Sequence, residues 1–266
     1  MNTSVLGIPT HYEQAGDQGE NILLLHGWGP GTVTLDAHLM PVLKLLAKDH
    51  RVTALEFPAH GSTGKPAGDW FVSDYAMWVK AFIEMYGLAP VTIVAHSFGG
   101  RVALWLAANE PLLVQRMVLT GCAGLRREPT EAEQRRAQSY QSRKRLLEKV
   151  ARLPLVGVVA RKALDGLRKR HGSADYLALP DDLRGTFVNI VNEDLRPLLQ
   201  RVHQPVMLVW GDRDTATPLW MARTMEAEMP DAGLYIFEGR GHFAYLEEAP
   251  QFARIVSALI REDQKQ

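Results

Sequence analysis

Val91-Thr92-Ile93-Val94-Ala95-His96-Ser97-Phe98-Gly99-Gly100 is the stretch on which the fold turns. Its first four residues are a β-branched run without polar alternation, the pattern of a strand covered on both faces. Beyond Ser97, the residues Val102, Trp105 and Leu106 recur at helical spacing. A serine therefore stands on a strand-to-helix turn. Its neighbours Ala95 and Gly99 are small, as a sharp turn that crowds adjacent backbone requires.

The same alternation extends in both directions. Ile22–Leu25, Val52–Leu55, Met117–Thr120, Val206–Trp210 and Leu234–Phe237 read as further buried strands. Between the second and third strands, Tyr75, Val79, Phe82, Ile83 and Tyr86 share one helical face, with Ser73 as the expected N-cap. Pro218 opens a helix carrying Met221, Met225 and Met229. Phe252, Ile255, Val256, Leu259 and Ile260 mark a closing helix. Strands alternating with helices of this length require crossover connections, so the expected class is α/β, a mostly parallel central sheet with helices on both faces.

Residues 125–200 break the rhythm. They hold no strand pattern but several helical ones, such as Leu183, Phe187 and Val191. The economical division is a core of 1–124 and 201–266 with a helical cap inserted at 125–200. From Arg126 to Arg170 the insertion carries 14 Lys/Arg against 5 Asp/Glu. A solvated helix face accounts for that charge, and a docking surface for an acidic acyl carrier is the sharper alternative.

A serine hydroxyl is a weak nucleophile and needs a base, which in turn needs an orienting group. Of the nine histidines, His242 has the right setting: Gly239-Arg240-Gly241-His242-Phe243 follows the last strand and precedes the closing helix. His26 more naturally braces the loop in which it lies. His11, His38, His50, His171 and His203 read as surface or packing residues, and His96 projects elsewhere on the serine turn. The acid belongs between Ser97 and His242, in Gly211-Asp212-Arg213-Asp214-Thr215-Ala216-Thr217-Pro218. Asp214 is preferred, with Asp212 bracing the turn. Backbone donors for a developing oxyanion are expected from Trp28, in His26-Gly27-Trp28-Gly29, and from Phe98. A serine that only capped its helix would also satisfy the five-residue pattern. The ordered acid and base favour the nucleophile.

These segments, in this order and each at a strand's C-terminal end, resemble the α/β-hydrolase superfamily. Glu56-Phe57-Pro58-Ala59-His60-Gly61-Ser62 is similar to a loop of that family, with Glu56 and Ala59 replacing the usual Asp and Gly. The resemblance implies Ser97, Asp214 and His242 as a catalytic triad, in agreement with the reading of the residues themselves.

Composition narrows the rest. The chain has 266 residues, 46% apolar and 23% charged, with 30 basic and 30 acidic side chains, so no net charge draws it to nucleic acid. One cysteine, Cys122, excludes an internal disulfide and a multi-cysteine metal site, and suits a reducing compartment. The N-terminus lacks a signal-peptide pattern and no apolar run is long enough to span a membrane, so the expected location is cytoplasmic. Gly61-Ser62-Thr63-Gly64-Lys65-Pro66 lacks the first glycine of a phosphate loop and ends in Pro where magnesium needs Ser or Thr. Neither cofactor nor metal is expected.

The expected activity is hydrolysis of small to medium apolar carboxylic esters through an acyl-enzyme, with Trp28, Phe98 and Phe243 walling the substrate. A thioesterase, a lactonase, an acyl-carrier methyl esterase or a carbon–carbon bond hydrolase would use the same triad. A ligand-sensing receptor of this fold with little turnover is the alternative of a different class.

Overall fold

The computed structural model describes residues 1–29, 35–127, 130–151, 159–160, 162–163, 166 and 174–263. The described elements are β1 (Asn2–Val5), β2 (Ile8–Ala15), β3 (Asn21–Leu25), α1 (Leu35–His38), α2 (Met40–Leu46), β4 (Arg51–Leu55), α3 (Val72–Met85), β5 (Val91–His96), α4 (Phe98–Asn109), β6 (Val114–Thr120), α5 (Glu131–Val150), α6 (Ala174–Ala178), α7 (Arg184–Asn192), β7 (Val206–Gly211), α8 (Trp220–Glu228), β8 (Ala232–Phe237), α9 (Ala244–Glu247) and α10 (Ala249–Asp263).

The strands form one sheet in the order β1-β2-β4-β3-β5-β6-β7-β8, in which β2 pairs antiparallel with both β1 and β4 and all pairs from β4–β3 onward are parallel. This is the expected α/β class. The register pairs Leu25 with both Leu55 and Ala95, His96 with Thr120, and Gly211 with Phe237. The loops that follow β3, β5, β6, β7 and β8 therefore leave one edge of the sheet. Strand order reverses between β3 and β5, the point at which open parallel sheets form a crevice beyond their carboxyl ends.

Alternate strand residues feed two cores. Leu23, Leu25, Ile93, Ala95, Leu119, Leu208 and Trp210 face one side, where Trp78, Val79 and Phe82 of α3 and Val102 and Leu106 of α4 cover them. Ile22, Leu24, Val94, Val118 and Val209 face the other, under Val42 and Leu46 of α2 and Phe252, Val256 and Ile260 of α10. Burial on both faces explains the unbroken apolar runs in these strands.

One local expectation is corrected, and two features add to the sequence reading. The helix through Tyr75 begins at Val72 with Phe71 as its N-cap residue, not at Ser73, because the Asp74 carboxylate accepts the Phe71 N–H at 2.7 Å. The N-terminal hairpin β1–β2 went unforeseen. Its turn, Leu6-Gly7, takes φ values of 48° and 81°, a mirror-image turn made without the usual Asn-Gly pair. In α7 and the short 3₁₀ turn before it, the buried positions are Leu183, Thr186 and Ile190, while Val191 is exposed.

The chain divides into two compact units, Met1–Leu125 with Val188–Gln266, and Arg126–Phe187. The second is shorter than the 125–200 insertion drawn from the sequence. Leu195 and Leu199, beyond its end, are buried in the core of the first unit, and the Leu195 N–H donates to the Gly124 carbonyl at 2.8 Å. Within the second unit the exposed face of α5 carries Arg135, Arg136, Arg143, Arg145 and Lys149, and the Arg184 guanidinium lies 5.4 Å from the Tyr176 ring centre. Among the described residues no helix is long and apolar enough to cross a membrane.

Trp78 is wholly buried between α3 and the sheet. Trp78→Ala should lower the unfolding free energy by about 3–5 kcal/mol, read as a reduced urea midpoint. A midpoint unchanged from the wild type would contradict this packing.

Candidate active site

The turn after β5 is strained. Ser97 has φ 52° and ψ −108°, a conformation that residues with a side chain rarely adopt. Neighbouring backbone holds it there: the Ser97 N–H donates to the Thr120 carbonyl at 3.1 Å, and the Ser97 carbonyl accepts from Gly100 at 3.1 Å and Ala123 at 3.2 Å. The first turn of α4 lies so close to the end of β3 that a Cβ on Gly99 would stand 2.6 Å from the Leu25 carbonyl oxygen and 2.8 Å from that of His26. Only glycine fits there. Ser97 is half-buried at the N-terminus of α4, where helix N–H groups favour negative charge.

Asp214 lies in the loop after β7 and is 5% exposed. Its Oδ1 accepts the N–H groups of Ala216 (2.9 Å) and Thr217 (2.8 Å), and its Oδ2 lies 2.8 Å from Nδ1 of His242. The Thr217 hydroxyl donates to the same Oδ2 at 2.7 Å, with the Gly121 carbonyl a second acceptor at 3.0 Å. Thr217 is itself pinned by the Trp210 indole N–H, which donates to its carbonyl at 2.7 Å. Burial alone would raise the Asp214 pKa, but the bonds from His242 and Thr217 outweigh it and hold the carboxyl below its ordinary 3.8. A carboxylate accepts only, so Nδ1 of His242 carries its proton toward Asp214 and Nε2 is left as the basic nitrogen.

Glycine again permits the close approach. Gly121, at φ 50°, has its missing Cβ 3.0 Å from Nδ1 of His242 and 3.3 Å from Oδ2 of Asp214. Asp212 braces the turn from the other side, its Oδ1 accepting the Gly239 N–H at 2.7 Å. The loop carrying His242 is tied further by the Arg213 N–H, which donates to the Arg240 carbonyl at 2.9 Å, and by the Arg240–Glu248 ion pair at 2.5 Å.

The loop after β3 is built around two neutral imidazoles. His26 is fully buried: its Nδ1–H donates to the Gly27 carbonyl at 2.7 Å and its Nε2 accepts the Phe57 N–H at 3.0 Å. Burial, then the nearby His60, push its pKa well down. His60 donates from Nδ1 to the Pro58 carbonyl at 3.0 Å and accepts the Gly29 N–H at 3.2 Å, and burial lowers its pKa to about 4. The second loop closes on Glu56, whose carboxylate accepts the N–H groups of Ser62 (2.6 Å) and Thr63 (3.1 Å), while Ala59 takes φ 68°.

The sequence-derived residues are placed as follows. Asp214 and His242 are in direct contact. Ser97 and Trp28 belong to adjacent segments: a Cβ on Gly27 would stand 3.3 Å from the Ser97 Cβ. Phe98 opens α4, and its ring, 2% exposed, packs against Trp28 (5.3 Å), Phe57 (5.0 Å) and Tyr75 (4.9 Å), so the side chain serves the core rather than a pocket wall. Phe243 is 39% exposed, with its ring 5.4 Å from that of His242. Cys122 is buried, and burial pushes its thiol up to about 12. His171 lies outside the described residues. Thr217 and Gly121 were missed. The signal for Thr217 was legible, because an aspartate that accepts the backbone N–H groups two and three residues on makes a local turn that sets the third residue beside it.

A strained serine between a parallel strand and a helix, with an Asp–His pair on loops from the same sheet edge, defines the class of α/β hydrolases. The chain belongs to that family: the model of the alpha/beta hydrolase fold matches residues 20–249. It is 29% identical to the pimeloyl-[acyl-carrier protein] methyl ester esterase of Chromobacterium violaceum over 250 residues, covering 90% of this chain and 94% of that one. It is 26% identical to 2-hydroxy-6-oxononadienedioate/2-hydroxy-6-oxononatrienedioate hydrolase 2 of Pseudomonas putida, covering 94% and 91%. The fold matches that of the meta-cleavage product hydrolase of Pseudomonas fluorescens with a TM-score of 0.73 at 22% identity, over 99% of this chain and 98% of that one. Family and relatives support hydrolase activity.

Thr217→Val keeps the shape and removes the hydroxyl that donates to Asp214. Stability near neutral pH should fall by about 1 kcal/mol. Because the folded carboxyl titrates below its ordinary value, the stability it adds is complete above about pH 4 and disappears as pH falls through the lowered pKa. The urea-midpoint difference between variant and wild type should therefore shrink in acid. A difference that grew on acidification would contradict the assigned bond.

Proposed function

We propose that the chain is a serine hydrolase of carboxylic esters. The observation that carries this reading is the 2.8 Å pairing of His242 Nδ1 with the buried Asp214 carboxylate, on the sheet edge from which the strained Ser97 emerges. On this reading the Ser97 hydroxyl oxygen attacks the ester carbonyl carbon while His242 Nε2 takes its proton. Asp214 holds the imidazole in the required tautomer and stabilises its cationic form. Negative charge on the carbonyl oxygen is met by the N–H groups of Trp28 and Phe98. His242 then protonates the leaving alcohol, and water hydrolyses the acyl-serine by the same proton transfers in reverse order.

The substrate would be a small to medium apolar ester with Trp28 and the exposed Phe243 beside the scissile bond. The single thiol, buried at Cys122, is compatible with a cytoplasmic setting.

Ser97→Ala and His242→Ala should each reduce turnover of a chromogenic short-chain ester on the order of 10³-fold or more, with folding intact. Activity retained by both variants would sink the mechanism. Esters, thioesters and lactones of matched chain length then rank the electrophile, and rapid single-turnover acylation of Ser97 without steady-state turnover would favour a receptor.

A second reading has its own support in the basic exposed face of α5 and in the named substrate of the Chromobacterium violaceum relative. If an acidic acyl carrier docks on that face, kcat/KM for a carrier-bound ester should fall steeply with added salt while that for a free neutral ester does not. Equal salt dependence for both substrates would leave α5 as a solvated face.

A further inference from the structure

His96, the residue before the candidate nucleophile, has no part in the mechanism above. Its imidazole is 3% exposed and is clasped by three rings of one segment: His242 at 4.6 Å, Phe243 at 5.1 Å and Tyr245 at 4.7 Å between centres. Its Nε2 lies 3.1 Å from the backbone carbonyl oxygen of His242. A carbonyl oxygen only accepts, so Nε2 carries the hydrogen and Nδ1 is bare. That bare nitrogen faces Gly27, where a Cβ would stand only 2.9 Å away, and it has no hydrogen-bond partner.

We propose that His96 is a positioning residue: its Nε2–H, donated to the His242 carbonyl, fixes the backbone of the base relative to the serine elbow. The inference rests on the triad reading. The physical need is clear from the loop itself. Gly239 and Gly241 flank Arg240 in the approach to His242, and Gly239 takes φ 72°. Such a segment gains much conformational freedom if released, because glycine restricts the backbone least. The Asp214 bond orients the imidazole ring but leaves the His242 backbone to other anchors. His96 supplies one directly from the residue covalently joined to Ser97, so elbow and base move as a unit. The ring suits the task because it stays uncharged. Burial, and then the neighbouring His242, lower its pKa to about 3. It therefore does not compete for the proton that His242 takes up.

His96→Phe keeps a ring within the aromatic clasp and removes the donor, whereas His96→Gln restores an N–H at similar reach. With a chromogenic ester, the Phe variant should lose about tenfold or more in kcat with KM within about twofold of wild type. The Gln variant should recover most of that loss. Equal kcat in the Phe variant and wild type, or equal losses in folded Phe and Gln variants, would overturn the proposal. Ser97→Ala is assayed alongside: if it remains active, the triad reading fails separately from this one. Should the Phe variant not fold, ¹⁵N NMR of the histidine-labelled wild type reads the tautomer directly, with the His96 signals assigned from their loss in the Gln variant. A protonated Nε2 and a bare Nδ1 near neutral pH are expected. The opposite tautomer, or a protonated cation, would overturn the proposal.

Discussion

The site depends on one backbone constraint, the contact of the first turn of α4 with the end of β3. Gly99 lies against the carbonyls of Leu25 and His26, and no side chain fits between them. That contact forces the chain to reverse within one residue after β5, and Ser97 absorbs the reversal at φ 52°. A conformation of this kind costs about 1–3 kcal/mol. It persists because β5 is buried on both faces and α4 is anchored by Val102 and Leu106 in the core. Strain at the serine is thus supported by ordinary hydrophobic packing on either side of it.

From that constraint the remaining geometry follows by sheet register. Parallel pairing brings the ends of β3, β4, β5, β6, β7 and β8 to one edge, and the segments that follow them leave from it. The loops are not soft. Neutral imidazoles of His26 and His60 bridge backbone groups of the loops after β3 and β4, each using one nitrogen as donor and the other as acceptor. Asp214 closes its own loop through two backbone N–H groups before it meets His242. Glycine at 121 leaves the room that the Asp–His pair occupies. Buried histidines here act as uncharged hydrogen-bonding struts, and burial is the cause of their lowered pKa values.

Much of this was legible in the sequence, for reasons that differ by element. The strands from β3 onward announced themselves because both their faces are covered, which leaves unbroken apolar runs. The hairpin β1–β2 did not, because only Val5, Thr10 and Tyr12 of its strands are buried, which leaves no apolar run, and its turn uses Leu6 where Asn is usual. Asp214 and His242 could be chosen by chain order and by their distance past a strand. His96 could not be ranked the same way: its role comes from a contact across 146 residues, which no local pattern encodes. Leu195 and Leu199 resemble the helical residues before them in the sequence, yet they pack into the core with α4. Ring burial also separated the three expected wall residues, since Phe98 faces the core and Phe243 does not.

The central claim is that Ser97 and His242 form one proton-transfer unit beneath a backbone oxyanion site. The most direct measurement is a crystal structure of the protein inactivated by a fluorophosphonate ester. The account predicts phosphorus bonded to the Ser97 hydroxyl oxygen, with the phosphoryl oxygen within hydrogen-bond reach of the Trp28 and Phe98 N–H groups and His242 Nε2 facing the adduct. Modification at another residue, or a Ser97 adduct whose phosphoryl oxygen lies away from both N–H groups, would contradict it.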